Sequence, residues 1–294
     1  MYGKDVNMNL FSRINLKVLR HLNYKLYTKH YFKAVHGYDL NLKSPKSFNE
    51  KIQWMKFYGN LESCGKYVDK NDVRSFVKDK VGEKYLIPQI GCYNNSSEVN
   101  FERLPNKFVV KATHASGWNL VVDDKKKLNI EDAKKQIDVW VNKSFYKKNG
   151  EKNYKHVRGR VVIEEFIEDG SGDLMDYRFF CYDGNPLYIQ LDSYSDTKVK
   201  KRRNIYDINW IKMDVKCSYE NTLKDIERPN KLDEMIHIAS KLSEGFNFVR
   251  VDLYYVNDNI YFGELTFTPQ NGTGKFTPVE YDYLFGQNFE LKRY

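Results

Sequence analysis

Near the C-terminus, two β-branched and aromatic runs flank the polar triplet Asn257-Asp258-Asn259. The runs are Arg250-Val251-Asp252-Leu253-Tyr254-Tyr255 and Tyr261-Phe262-Gly263-Glu264-Leu265-Thr266. This pattern specifies a β-hairpin with a tight turn. Side chains alternate along strands, so Asp252 and Glu264 can share one face across the pair. Two facing carboxylates repel, and burying them is costly unless cations compensate. Mg²⁺ is the usual compensation, held by one or two carboxylates while substrate phosphates supply further oxygens. A solvated hairpin face carrying two ordinary acids is the competing outcome of the same pattern.

At 294 residues the chain is long enough for two or three lobes. With 41% hydrophobic and 30% charged residues it is globular rather than disordered. Its net charge of +9 suits an anionic substrate, a nucleic acid or an acidic membrane surface without choosing among them. Cys64, Cys92, Cys181 and Cys217 are far apart and form no CxxC or Cys/His cluster, which points to reduced thiols and no structural zinc. No apolar run reaches the ~20 residues that span a bilayer, and the first thirty residues lack a signal-peptide core. A cytoplasmic protein is expected.

Leu10 to Tyr31 reads as a helix with an apolar stripe at Leu10, Phe11, Ile14, Val18, Leu19, Leu22 and Leu26. Arg13, Lys17, Arg20, Lys25 and Lys29 fall mostly elsewhere, so this basic amphipathic helix packs on its own domain or rests on an anionic membrane. Ser47 and Glu50 fit a capping box, and a further helix opens at Asp69-Lys70-Asn71-Asp72-Val73-Arg74. The periodicity then changes. Strands are expected at 107–111, 119–123 and 160–167, with a helix from Ile130 to Phe145. A hairpin turns at Asp183-Gly184-Asn185, and a helix over 232–242 leads into the C-terminal hairpin. Helices, then β-loop-β-α-β, then antiparallel β with helix make an α+β protein in lobes.

Lys111 ends one strand, Ala115-Ser116-Gly117 forms a small-residue loop, and a second strand returns. Such a flap can close over phosphate, with backbone N–H groups and Ser116 on its oxygens and Lys111 as a point charge. Glu164-Glu165-Phe166-Ile167 ends a third strand, where a carboxylate and exposed backbone suit an adenine edge. An ordinary hairpin turn is the competing reading of the loop.

In this order, the parts resemble the ATP-grasp superfamily, and within it the TupA-like (teichuronopeptide biosynthesis) subfamily. The similar stretches are Ser47 to Lys56, Asp69-Lys70 with Val73-Arg74, Val109 to His114, Ile163 to Ile167, Asp176 to Gly184, and Glu264-Leu265-Thr266-Phe267-Thr268-Pro269. The resemblance covers roughly Ser44 to Glu290. It implies two α+β lobes clamping a nucleotide. The divisions would be a helical extension (1–43), a preceding region (44–105), a small lobe (106–168) and a large lobe with the metal site (169–294).

The resemblance also implies roles. Lys111 would hold phosphate, with Ser116 and Gly117 as the glycine loop and Lys70 as an earlier lysine near the nucleotide. Glu164 or Glu165 would take the adenine amino group, with the backbone of Phe166 and Ile167 completing the hinge. Asp169 or Asp173 would reach the ribose, and Arg178 would face the phosphates or an acyl-phosphate. Asp252 and Glu264 would hold Mg²⁺, and Arg202 and Arg203 the acceptor's carboxylate, unless these arginines belong to a solvated basic loop. Many relatives carry Glu-x-Asn at the last metal strand. Here Thr266 follows Glu264, so Thr266 or Asn271 replaces that ligand, or the second metal site is weak. His114, at the loop mouth, could act as a base on an amine or simply bond its neighbours.

The function so implied is ATP- and Mg²⁺-dependent ligation of a carboxylate (hexuronic or amino acid) to an amine acceptor in cell-surface polysaccharide synthesis. A lipid-linked saccharide acceptor would give the basic N-terminal helix a membrane to rest on. A glycosyltransferase is the alternative, but Asp123-Asp124 and Asp169 to Asp173 lack the strand context of a nucleotide-sugar DxD site. Nucleic-acid binding is not expected, because basic residues are interspersed with acids and no helix-turn-helix, RNP or zinc-finger signature occurs.

Overall fold

The structure, a computed structural model, describes residues 16, 18–168, 170, 174–194 and 201–294. Asn23 takes a non-helical conformation and caps α1 (Tyr24–His36), its side chain accepting from the Leu26 N–H. The expected continuous helix is therefore broken at Asn23, whose short amide competes for backbone groups. The expected stripe is not the packed face either. Val18, Leu22 and Leu26 are 52, 79 and 39% exposed, whereas Thr28 and Phe32 are buried. Leu10, Phe11 and Ile14 lie outside the described residues.

The expected capping box forms at Ser47 and Glu50 and starts α2 (Phe48–Tyr58). After the single turn α3 (Gly65–Val68), Asp69 accepts the N–H groups of Asn71 and Asp72, so the next helix, α4 (Val73–Val81), begins later than Asp69. Strands β1 (Gln89–Tyr93), β2 (Phe108–Ala112), β3 (Asn119–Val122) and β4 (Val161–Glu165) form an antiparallel sheet in the order β1-β4-β2-β3. The helix expected from Ile130 to Phe145 is two, α5 (Ile130–Val141) and α6 (Phe145–Asn149), because Ser144 caps the second.

The larger sheet runs β10-β9-β5-β6-β7, antiparallel throughout. Its strands are β5 (Asp176–Tyr182), β6 (Asn185–Tyr194), β7 (Lys201–Asp207), β9 (Phe248–Val256) and β10 (Asn259–Thr266). Strand β7 corrects the expected basic loop: Asp192 lies opposite Arg203 in the register, so the cation is paired rather than solvated. Short β8 (Lys216–Cys217) pairs with β11 (Phe276–Thr277), and α7 (Leu232–Ser243) and α8 (Glu280–Gln287) cover the sheet.

The two faces of this sheet differ. Val249, Val251 and Leu253 share the face on which Cys181 meets Ala239 of α7, a wholly apolar layer. On the other face, cross-strand partners grade from aromatic to ionic along the strands. Phe248 opposes Tyr182, Arg250 opposes Phe180, and Asp252 opposes Arg178. Phe48 of α2 packs into the aromatic half, its ring 5.1 Å from Phe248 and 5.7 Å from Phe180. The ionic half is left facing the smaller sheet's side of the molecule, where Lys70 reaches Glu264.

Which residue of β10 joins that ionic half is decided by one insertion. Asn257 and Asp258, both at positive φ, make a two-residue turn, and Asn259 already pairs with Val256. From that turn the register runs Tyr261 to Tyr254 and Phe262 to Leu253, which would place Gly263 opposite Asp252. A bulge between Phe262 and Glu264 shifts it by one, so Glu264 faces Asp252. At Gly263 a Cβ would lie 3.0 Å from the Asp252 carbonyl oxygen and 3.1 Å from the Tyr254 ring. We predict that Gly263→Val lowers unfolding free energy by about 1–3 kcal/mol in urea titrations. An unchanged midpoint would contradict the close approach.

Candidate active site

Charged residues stand two apart within otherwise apolar strands, so alternation aims them at one face. From β10 across to β7, that face carries Glu264 and Thr266, Arg250 and Asp252, Asp176 and Arg178, Asp192, then Arg203 and Lys201. Burying such a row is tolerable only because the signs alternate. Arg250 grips Asp252 with both ends, Nε to Oδ1 at 2.7 Å and Nη2 to Oδ2 at 2.5 Å. Arg178 bonds Asp176 and Asp192 closely and lies 3.4 Å from Asp252. Arg203 forks onto Asp192 at 2.6 and 2.9 Å, and Lys201 adds a contact at 2.8 Å.

The balance sets each carboxyl. Burial pushes Asp252 up to about 7, against the charge of Arg250, with Asp176 adding to the rise. Burial also acts on Glu264, but the charges of Lys70 and Arg250 and the Thr266 hydroxyl, which donates at 2.9 Å, bring it below its ordinary value. Burial alone would raise Asp192; the bonds from Arg203, with the charges of Arg203, Arg178 and Lys201, hold it well below the usual carboxylate range.

Lys70 connects this floor to the smaller sheet. Its Nζ donates to the Ala115 carbonyl at 2.7 Å and lies 4.0 Å from Glu264. Burial lowers its pKa, and Lys111 lowers it further. Lys111, on β2, pairs with Glu164 at the end of β4 at 2.7 Å, and Arg74 of α4 approaches the same carboxylate at 3.4 Å. Glu264 remains 30% exposed, its carboxylate accessible next to the lysines. Lys70 thus links Glu264 and its register partner Asp252 on the larger sheet to Lys111 and Glu164 on the smaller one.

Other expected residues lie differently. Ser116 and Gly117 occupy the β2–β3 loop, Gly117 at φ 72° with open space where a Cβ would stand. Glu165 is exposed beside buried Glu164, and Ile167 follows β4 in irregular backbone. Asp169 and Asp173 lie outside the described residues. His114 is only 3% exposed, with Nε2 3.1 Å from the Trp140 carbonyl and 3.0 Å from that of Lys143. Those contacts make it a loop anchor rather than a base open to an amine. Arg203, equally buried, is committed to Asp192, and Asn271 sits beyond β10 bonded to the Asn149 carbonyl.

Arg250, Asp192, Asp176, Lys201 and Arg74 were not expected in the site. The signal lay in plain view for two of them, Arg250 and Asp176: a charge two residues from an opposite charge, inside an apolar run, is a buried pair in waiting. Asp252, Glu264 and the Thr266 hydroxyl are hard oxygen donors, which suits Mg²⁺. Asp176 Oδ1, on the same floor, is buried without a partner, leaving acceptor capacity there. Among the described residues no group of three His, Cys, Asp or Glu side chains is arranged to hold a metal ion by itself. An ion that takes one or two carboxylates and completes its shell with phosphates and water fits this donor set.

The sequence model of the TupA-like ATPgrasp family matches residues 50–290. No curated protein matches the chain. Among solved structures, the chain is similar to D-alanine–D-alanine ligase from Bacillus anthracis complexed with ATP (18% identity, 68% of this chain, 54% of that one, TM-score 0.42). It is also similar to D-alanine–D-alanine ligase from Helicobacter pylori (15% identity, 84% of this chain, 68% of that one, TM-score 0.43). A third similar structure is ATP-grasp ligase PsnB complexed with a phosphomimetic precursor variant, Mg and ADP (10% identity, 85% of this chain, 64% of that one, TM-score 0.42). The chain spans just over half the length of the Bacillus anthracis ligase.

Because the folded state holds Asp192 ionised far below an ordinary aspartate, its contribution is complete above about pH 4 and is lost as pH falls further. Asp192→Asn leaves Arg203 buried and unpaired, which should cost about 3–5 kcal/mol at pH 7. The same substitution should flatten the acid side of the stability–pH curve. Wild-type stability at pH 7 in the variant would contradict the pairing.

Proposed function

The chain belongs to the TupA-like ATP-grasp family, and on that premise we propose that it is an ATP- and Mg²⁺-dependent carboxylate–amine ligase. The observation that carries the reading is the Asp252–Glu264 pair, held in register on neighbouring strands with Lys70 4.0 Å from Glu264. Such a site suits phosphoryl transfer, which needs little covalent help from protein. Lys111 and Lys70 bind phosphate oxygens, and the β2–β3 loop around Ser116 and Gly117 covers them. Glu164 and the backbone through Ile167 border the base. Asp252 and Glu264, with Thr266, would hold Mg²⁺, which when bound would supply positive charge to the phosphoryl group.

A carboxylate oxygen attacks the γ-phosphorus and ADP leaves, giving an acyl-phosphate. An amine then attacks the acyl carbon, phosphate departs with the former carboxylate oxygen, and the amine loses a proton. Arg178, fixed on the floor by Asp176 and Asp192, offers positive charge to the acyl-phosphate. Orientation of the two reactants supplies much of the remaining rate. The carboxylate is a hexuronic or amino acid, and the reaction belongs to cell-surface polysaccharide synthesis.

Carboxylate labelled with ¹⁸O should deliver one labelled oxygen to inorganic phosphate, and only when amine, ATP and Mg²⁺ are all present. Unlabelled phosphate would overturn the acyl-phosphate route. Glu264→Gln should lower kcat/KM by about 10²–10³-fold.

No helix among the described residues is long and apolar enough to cross a membrane. The exposed Val18, Leu22 and Leu26, beside Arg20, Lys25 and Lys29, support peripheral contact with an anionic bilayer, where a lipid-linked acceptor resides. Binding to phosphatidylserine vesicles should fall about tenfold or more in Val18→Asp with Leu22→Asp. Equal sedimentation of variant and wild type would remove the membrane contact and leave the chemistry untouched.

A further inference from the structure

The ionic floor ends, on its β7 side, with more positive charge than it neutralises. Asp192 takes three cations: the fork of Arg203, Lys201 at 2.8 Å, and Arg178. Arg178 is shared with Asp176 and, at 3.4 Å, with Asp252, which Arg250 already grips. Four cations thus meet three carboxylates, and carrying the count on to Glu264 and Lys70 leaves the same excess. The neighbouring Glu220 does not relieve it, because its carboxylate pairs with Lys216 at 2.7 Å. At this end the Arg203 side chain is 3% exposed and that of Arg178 16%, whereas Lys201 keeps 26%. The uncompensated charge is therefore most reachable at Lys201.

An aromatic ring is fixed at the same place. Tyr219 follows β8, and its ring centroid lies 4.7 Å from Arg203 Cζ and 5.4 Å from Lys201 Nζ. Ser218, just before it, takes the left-handed conformation at φ 63°, which a residue other than glycine keeps only when its surroundings enforce it. Here they do. The Ser218 N–H donates to the Lys275 carbonyl at 2.9 Å, and its hydroxyl bonds Gln270 Oε1 at 2.8 Å. The backbone N–H of Arg203 donates to the Glu220 carbonyl at 2.9 Å, which ties the far side of Tyr219 to β7. Although it packs on two cations, Tyr219 remains 40% exposed.

The distance from the acid pair limits what this spot can do. Neighbouring strands lie about 4.8 Å apart, so Lys201 on β7 stands three spacings, roughly 14 Å, from Asp252 on β9. A carboxylate held by Lys201 is too far from Asp252 to be the one that is phosphorylated.

We propose that Tyr219 and Lys201 form a subsite for a sugar acid. The C–H face of its pyranose ring lies on the Tyr219 ring, and its carboxylate pairs with Lys201. An aromatic face beside a surplus cation selects a ligand that carries both a ring face and a negative charge, at the expense of neutral sugars and of short acids. The role of the subsite rests on the ligase reading: the sugar acid belongs to the amine acceptor, and its carboxylate is a handle rather than the reacting group.

The test is ligand-observed NMR titration of the full chain, without nucleotide, with methyl glucuronide, methyl glucoside and acetate. The glucuronide should bind about tenfold or more tightly than either of the others. Irradiating the aromatic protons of the protein should also saturate its ring C–H protons. Tyr219→Ala should abolish that transfer and weaken binding about tenfold, whereas Tyr219→Phe should preserve both. Lys201→Gln should bring the glucuronide down to the affinity of the glucoside, and Lys201→Arg should keep the preference. Asp192 retains Arg203 and Arg178 in both Lys201 variants, so its buried charge stays compensated. No binding of the glucuronide, affinity equal to that of the glucoside or of acetate, or affinity unmoved by Tyr219→Ala and Lys201→Gln would overturn the subsite. Absence of Mg·ATP binding by the wild type would instead strike the ligase reading and the acceptor role, and leave the subsite standing.

Discussion

Insertion of Gly263 into β10 decides which side chains face the interior of the molecule. Without it, Gly263 would oppose Asp252, and Glu264 and Thr266 would point into the apolar layer under α7. A carboxylate there would have no counter-charge, at a cost no fold of ordinary stability sustains. With the bulge, Glu264 joins Asp252, Arg250 and Lys70. The acid pair, the ionic floor and the apolar layer behind it all depend on that single shift.

The floor itself is a problem of charge in low dielectric. Four carboxylates and their neighbouring cations are stable only as a network, since removing one member leaves another buried and uncompensated. Arg178 illustrates this by touching three acids from one position. The network also grades in accessibility. Asp192 and Arg203 are sealed, whereas Glu264 opens towards Lys70 and Lys111. Structural pairing at one end and a reachable carboxylate at the other are what a site needs to hold an incoming anion–metal complex in place. Arg250, which now holds both Asp252 oxygens, is the internal competitor for that cation.

Short-range signals carried much of this to the sequence. The capping box at Ser47, the C-terminal hairpin, the Lys111 strand with its glycine loop, and the Asp252–Glu264 juxtaposition all rest on residues near one another in the chain. Even there the register rests on a two-residue turn plus a bulge, and the bulge is not visible in the alternation of the two runs. Less legible were features that depend on distant partners. Arg203 reads as solvated until Asp192 of the neighbouring strand is seen opposite it. His114 reads equally as a loop-mouth base or as a loop histidine bonding its neighbours until the carbonyls at the end of α5 are seen to enclose it. Asn23 and Ser144 break helices through side-chain caps that compete with an apolar pattern.

The central claim is that Asp252 and Glu264 bind nucleotide through a divalent cation. Its most direct test is calorimetric titration of ATP into wild type and into Asp252→Asn with Glu264→Gln, with and without Mg²⁺. The account predicts binding that requires Mg²⁺ and weakens by about tenfold or more in the double variant. Mg²⁺-dependent affinity unchanged in that variant would place the metal elsewhere and contradict it.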